Sequence, residues 1–156
     1  MTVQSITPDS LKDLPICAPG DFLDEALDTL VQRGHSSVIV LENTNELVGI
    51  LTDDDIIRAV QSRCESGDSI TRDHVFEWMS VDPVTADVDT TLEKALGLMT
   101  RHQIRHLIIT KNNKPVAMTG VSDILKALHE KEEALMEDLR NKILVPIADV
   151  APELYL

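Results

Sequence analysis

The chain has 156 residues, 43% apolar and only 3% aromatic, enough for one compact domain or two small packed halves with an aliphatic core. A formal net charge of −13 argues against a nucleic-acid backbone as partner and names no substrate. Cys17 and Cys64 fit neither a metal spacing nor a disulfide framework, no signal-peptide pattern opens the chain, and no apolar run approaches the roughly 18 residues of a membrane span, so a cytoplasmic protein with reduced thiols and no membrane association is expected.

Residues 1–13 are polar, with Pro8 and Asp9-Ser10 offering a turn or a short helix start. Leu14-Pro15-Ile16-Cys17 reads as a short extended piece, and Pro19-Gly20 as a turn. Asp21 is expected to cap a helix in which Leu23, Ala26, Leu27, Leu30 and Val31 have helical spacing, with Gly34 as its stop. Ser37-Val38-Ile39-Val40-Leu41 is a β-branched run and predicts a buried strand; after the polar turn 42–46, Leu47-Val48-Gly49-Ile50-Leu51 predicts the next one. A helix is expected from Asp53 to about Arg63, and Ser66-Gly67-Asp68-Ser69 is the only clear linker. His74 to Met79 predicts a short helix. The second half follows the same order: Pro83-Val84-Thr85 extended, Thr91–His102 helical, Arg105–Thr110 a strand, Lys111-Asn112-Asn113-Lys114 a tight turn, Val116–Thr119 the returning strand, and a helix opened by Asp123.

The repeat can be checked by position. Leu23-Asp-Glu-Ala-Leu27 matches Leu92-Glu-Lys-Ala-Leu96 and Val38-Ile39 matches Leu107-Ile108, both at an offset of 69, while Asp55 matches Asp123 at 68. The second hairpin loop is therefore one residue shorter. Each unit reads β-α-β-β-α. The expected fold class is α/β (α+β), two such units packed about a pseudo-twofold axis, because neither alone buries a good core.

Within the first unit the pivotal stretch is Gly49 to Ile57. A strand ends at Thr52 and a helix begins at once, with three carboxylates at the junction. Thr52-x-x-Asp55 is a capping-box pattern. The same geometry suits a nucleotide: free N–H groups at a helix start favour phosphate, and a carboxylate accepts both hydroxyls of a ribose.

Gly49-Ile-Leu-Thr-x-x-Asp-Ile, Glu77-Trp-Met-Ser-Val-Asp-Pro-Val-Thr85 with Thr91-Leu-Glu-Lys-Ala-Leu96, and Ile104-Arg-His-Leu-Ile-Ile109 resemble the CBS domain, the repeat named after cystathionine β-synthase. The resemblance covers about residues 10 to 128, and its specificity lies in the ordered double occurrence. It implies CBS repeats over residues 10–65 and 74–128 with a helical extension and tail over 129–156. It also implies a regulatory pair without enzymatic activity, dimerised into a disc of four repeats. Such a pair would bind an adenosine compound (AMP, ADP, ATP, S-adenosylmethionine or NAD) in clefts between its halves.

Carried over by position, Asp55 would accept the ribose hydroxyls and Thr52 would bond ribose or phosphate. Ile50, Val84 and Ile104 would cover the adenine. Arg105 and His106 fall where the family often binds phosphate, and Arg58, one turn into the helix, would help neutralise it; a solvated Arg58 and a ligand-free strand-end His106 are the plain alternatives. The second site keeps Asp123 but has Gly120 for the expected hydroxyl and Ala117 for the expected glycine, and it faces His35, Ser36 and Ser37 instead of an Arg-His pair. The Asp55 site is expected to bind better. The Asp123 site is expected to be empty or to take a less charged adenosine compound.

Other constellations are weaker. His102-x-x-x-His106 has metal spacing only if both lie on one helix, and the predicted helix ends near His102. Asp53-Asp54-Asp55 suits Mg²⁺ less than it suits a helix dipole. No catalytic nucleophile arrangement stands out, and no metal site is expected. Past Asp123 the helical pattern runs to about Ile143, with Leu135, Met136, Leu139 and Ile143 apolar. That stripe is expected to pack on a dimer mate, or secondarily on an unidentified protein target; Val145 to Leu156, apolar and Pro-interrupted, would dock on a neighbour too. The competing reading of the whole chain is a constitutive dimeric scaffold with vestigial clefts.

Overall fold

A computed structural model describes residues 1–7, 14–43 and 45–150, with the side chains of the last helix as far as Ile143. The expected turn at Pro8 and Asp9-Ser10 and the end of the tail, residues 151–156, lie outside the described residues. The first half runs β1 (Ile16–Cys17), α1 (Leu23–Arg33), β2 (Ser37–Glu42), β3 (Glu46–Thr52) and α2 (Asp53–Ser66). A 3-10 turn (Ile70–Arg72), α3 (Val75–Trp78) and β4 (Ser80–Val81) lead into β5 (Thr85–Asp87), α4 (Leu92–His102), β6 (His106–Lys111), β7 (Lys114–Gly120) and α5 (Val121–Val150). The α+β fold with two sheets is as the repeat predicts.

Each half has one sheet. In the first, β1 runs parallel to β2, β2 antiparallel to β3, and β4 antiparallel to the far edge of β3. In the second, β5 runs parallel to β6 and β6 antiparallel to β7. The register breaks at Val40/Leu41 in one hairpin and at Ile109/Thr110 in the other, the same step of the repeat. The turn between β6 and β7 uses Asn112 and Asn113, both at positive φ (52° and 62°), the pair of conformations that a two-residue hairpin requires.

The two cores correspond residue by residue. Leu23, Ala26, Leu30, Val38, Val40, Ile56 and Ala59 fill the first, and Leu92, Ala95, Met99, Leu107, Ile109, Ile124 and Ala127 the second. These side chains sit between sheet and helices. Ile39 and Ile108, fully buried on the opposite face of their strands, mark where the halves cover each other.

The connecting segments cross over. Val75 of α3 is fully buried in the first core, and Val3 near the N-terminus is fully buried in the second. The backbone bonds match in kind: Leu23 N–H to the Asp73 carbonyl (2.8 Å) and Val75 N–H to Asp21 (2.9 Å) parallel Leu92 N–H to Met1 (3.3 Å) and Val3 N–H to Thr90 (2.9 Å). Each half is thus closed by the segment that leads into the other. The first closure has an extra lock. Buried Asp73 accepts Arg63 Nε (2.9 Å) and Nη2 (2.6 Å) and Trp78 Nε1 (3.1 Å), and the Arg63 guanidinium holds its carboxyl below the usual carboxylate range.

Three boundaries differ from the sequence reading. Asp21 does not cap α1; its Oδ2 accepts the Ala18 N–H (2.8 Å) and closes the Pro19-Gly20 turn, while Phe22 is the N-cap residue. Of the two first-turn acids, Asp24 and Glu25, it is Glu25 that reaches back to accept the Phe22 N–H (3.3 Å). Helix α2 continues to Ser66, with Gly67 at φ 76° as its left-handed stop, so the linker begins as a helix cap. Helix α5 starts at Val121 and runs to Val150, beyond the expected end at Ile143.

Candidate functional site

Thr52 ends β3 and is the N-cap of α2. Its Oγ1 accepts the Asp55 N–H (3.3 Å), and Asp55 Oδ2 accepts the Thr52 N–H (2.8 Å) and Oγ1–H (3.0 Å). The capping box read from the sequence is present in full. The other carboxylate oxygen of Asp55, Oδ1, is ion-paired with Arg58, and the Asp55 residue is 2% exposed. The structure therefore occupies both oxygens that the resemblance assigns to a ribose.

Beside this junction lies a cavity of about 490 Å³ between the halves. From the first half it is lined by Ile50, Thr52, Asp54 and Arg58 with Ser80 and Val81 of β4, from the connection by Asp82 to Val84, and from the second half by Gln103, Ile104, Arg105 and His106. Seven residues expected at the first site (Ile50, Thr52, Arg58, Val84, Ile104, Arg105 and His106) thus share one cavity, while Asp55 stands behind Arg58 and not in the wall. Asp54 faces the cavity instead. Arg105 reaches across the cleft to Asp53 Oδ1 (3.2 Å) and Asp54 Oδ2 (3.3 Å), so each arginine of the cavity rests on a carboxylate of the α2 N-terminus.

The lining residues that sequence reasoning missed are Asp54, Ser80, Val81, Asp82, Pro83 and Gln103. Ser80 to Pro83 enter because β4 pairs with β3, Ile50 opposite Ser80 and Gly49 opposite Val81, while Gln103 enters as the C-cap of α4 and Asp54 from the first turn of α2. Asp82 (φ 48°) and Gln103 (φ 54°) hold left-handed backbone in the cavity wall, whereas the other non-glycine residues of this kind among the described residues are hairpin asparagines. Gln103 takes this conformation as the C-cap of α4, where Gly34 stands at the end of α1, and Asp82 takes it in the turn that leads from β4 to Pro83. The Ser-Val-Asp-Pro run was a usable signal for the turn, but strand pairing gives it its place.

The second cavity, about 320 Å³, contains Asp123, Gly120, His35 and Ser36 as expected, and also Met118, Thr119 and His106. Asp123 is exposed and, among the described residues, accepts only the Gly120 N–H (3.1 Å). Thr119 is 3% exposed and its hydroxyl has no partner among the described residues. His106 borders both cavities, its Nε2 hydrogen-bonded to Ser36 Oγ of the other half (2.7 Å). Burial and, next, the Arg105 charge lower its pKa below the usual histidine value. His102 ends α4 and His106 opens β6, so they share no helix. Burial pushes the Cys17 thiol up to about 12, which leaves it unsuited to nucleophilic chemistry. No helix among the described residues is long and apolar enough to cross a membrane.

The sequence pattern of the CBS domain matches residues 3–62 and 75–130. An uncharacterised protein of Bacillus subtilis, YlbB, is 28% identical over 124 residues, 78% of this chain and 80% of its own length. Three other curated relatives are spanned over only 26%, 66% and 59% of their length. Among solved structures, CBSX2 of Arabidopsis thaliana in complex with AMP has a TM-score of 0.71 at 21% identity over 84% of this chain and 98% of that one. The CBS pair of MJ0100, solved with 5′-methylthioadenosine and S-adenosyl-L-methionine, has a TM-score of 0.69 at 20% identity, covering 82% and 99%. These likenesses establish the fold. With two matched repeats across most of its length, two mirrored sheets and cores, and a cleft between them, the chain belongs to the CBS-domain family as a tandem pair.

Proposed function

We propose that this CBS pair is a non-enzymatic cytoplasmic sensor of an adenosine nucleotide (AMP, ADP or ATP), bound in the 490 Å³ cleft and acting as a homodimer on a protein target. The carrying observation is that Arg58 and Arg105 converge on this cleft from the two halves, each held by an aspartate of the α2 N-terminus. A ribose competes with Arg58 for Asp55, and a phosphate gives the released guanidinium a new charge-assisted partner. A ligand with both groups makes the exchange balanced, which favours a nucleotide over the cationic S-adenosylmethionine. Ile50, Val84 and Ile104 supply apolar walls for the base. The complexes of CBSX2 and MJ0100 support an adenosine ligand in this fold. Ile57 and Leu125, exposed at equivalent positions of α2 and α5, support the dimer.

Ligand binding would draw the halves together by exchanging Arg105–aspartate contacts for shared phosphate contacts, and its differential affinity for the two arrangements sets the signal. A second reading, a constitutive scaffold with vestigial clefts, is supported by Gly120 and the smaller second cavity.

The test is a thermal-shift panel of AMP, ADP, ATP, S-adenosylmethionine and NAD on the wild type and on Asp55→Ala. A nucleotide at 100 times its Kd stabilises by about 2.7 kcal/mol. The expected result is a shift with a phosphate-bearing nucleotide that Asp55→Ala abolishes and Asp123→Ala retains. No shift with any of the five sinks the sensor and leaves the scaffold.

A further inference from the structure

The phosphate end of the cleft is short of donors. The N–H groups that open α2 are all taken: Thr52 donates to Asp55 Oδ2 (2.8 Å), Asp53 to the Ser36 carbonyl (3.0 Å), Asp54 to Asp53 Oδ1 (3.0 Å) and Asp55 to Thr52 Oγ1 (3.3 Å). The helix start that the sequence offers to a phosphate is therefore closed by its own residues. Among the described residues of the cleft wall, the cations are Arg58 and Arg105 alone.

Those guanidiniums stand among a surplus of carboxylates. Asp55 holds Arg58, Asp53 and Asp54 hold Arg105 (3.2 and 3.3 Å), and Asp82 lines the wall with no cation beside it among the described residues. One phosphate can draw on both arginines at little cost. Asp55, left by Arg58, is met by the ribose hydroxyls. Asp53 and Asp54, left by Arg105, have side chains 43% and 71% exposed and return to water. Each further phosphate adds negative charge beside Asp54 and Asp82 and finds no cation left to meet it.

We propose that the cleft selects a nucleoside monophosphate over the di- and triphosphate, and that Asp54 and Asp82 make the selection. The inference rests on the nucleotide reading given under Proposed function and deepens it by naming the charge of the ligand.

The test measures binding of AMP, ADP and ATP to the full chain by isothermal titration, with and without Mg²⁺, at about pH 8, where a histidine ring is neutral. The same titrations are run on the double variant Asp54→Asn, Asp82→Asn, which keeps the shape of both side chains. Asp53 still holds Arg105 there, and asparagine tolerates the left-handed backbone at position 82 (φ 48°). The wild type is expected to bind AMP about tenfold or more tighter than ATP, with ADP between, and the double variant to narrow that ratio about threefold or more. ATP matching AMP on the wild type overturns the selection. So does ATP overtaking AMP once Mg²⁺ is present, since the carboxylates then serve a cation. A ratio that the double variant leaves unmoved overturns the part given to Asp54 and Asp82. Binding of none of the three removes the nucleotide reading itself, a result distinct from each of these.

Discussion

The two halves carry the same frame and differ at the starts of their second helices. On both sides a carboxylate reaches back to the last strand residue: Asp55 to Thr52 N–H (2.8 Å), Asp123 to Gly120 N–H (3.1 Å). That bond is what the fold asks of the position. The first half adds a hydroxyl at Thr52, a guanidinium at Arg58, and a fourth strand along β3. None of these additions is needed to close a β-α-β-β-α unit, since the second half builds an equally buried core with Gly120 and Lys126 at the matching places. The surplus polar groups surround the larger of these two cavities, and this difference supports the proposed binding site.

The comparison breaks most sharply at Gly49 and its counterpart Ala117. A Cβ added at Gly49 would stand 2.8 Å from both Met79 Sδ and the Ser80 carbonyl oxygen, and the carbonyl cannot swing aside as a side chain can. Gly49→Ala is expected to cost about 1–3 kcal/mol by overpacking and to displace Ser80 to Asp82, which line the cleft. Ala117→Gly, buried in β7, should cost about 0.5–1 kcal/mol through backbone entropy. Urea unfolding of the two variants checks the order. Equal losses would mean that β4 is not anchored on β3.

A smaller contrast separates the caps. Asp55→Ala removes a buried carboxylate that accepts two bonds from Thr52 and the Arg58 ion pair, and a loss of about 1–2 kcal/mol is expected. Asp123→Ala removes one exposed bond, and about 0.5 kcal/mol is expected. Denaturant midpoints of both variants test this, and a larger loss at Asp123 would reverse the assignment of the built site.

How much was legible in advance follows from the range of the interactions. Leu23, Ala26 and Leu30 against Leu92, Ala95 and Met99 declare two units because helical periodicity and repetition are local signals. The Thr52–Asp55 box spans three residues and was legible for the same reason. Asp21 misled because the acid that caps a helix and the acid that closes a turn look alike until the Ala18 N–H is found beside it. The crossing of Val3 and Val75 into opposite cores, and the entry of Ser80 and Asp82 into the cleft wall, depend on pairings between distant segments that no local pattern encodes. Arg58 was placed near the phosphate by position, but its occupation of Asp55 is a matter of side-chain geometry.

The finest contrast runs through one residue shared by both clefts. His106 is half-buried, borders the two cavities and is hydrogen-bonded to Ser36 across the halves (2.7 Å). Burial and Arg105 favour its neutral ring in the folded protein. A histidine lowered on folding contributes stability that is fully present above its unfolded value of about 6.5 and is lost as pH falls through the lowered folded value. The urea midpoint of the wild type should therefore drop on acidification below about pH 6.5 more than that of His106→Gln, by a small margin. A phosphate seated beside Arg105 favours the imidazolium, so AMP should raise the His106 ring midpoint followed by NMR, and Asp55→Ala should cancel the rise. A ring that titrates at the ordinary value in the free protein contradicts its burial between the halves. A lowered midpoint that AMP leaves unmoved puts the phosphate away from His106, and then Arg58, on the other side of the cleft, is the cation that receives it.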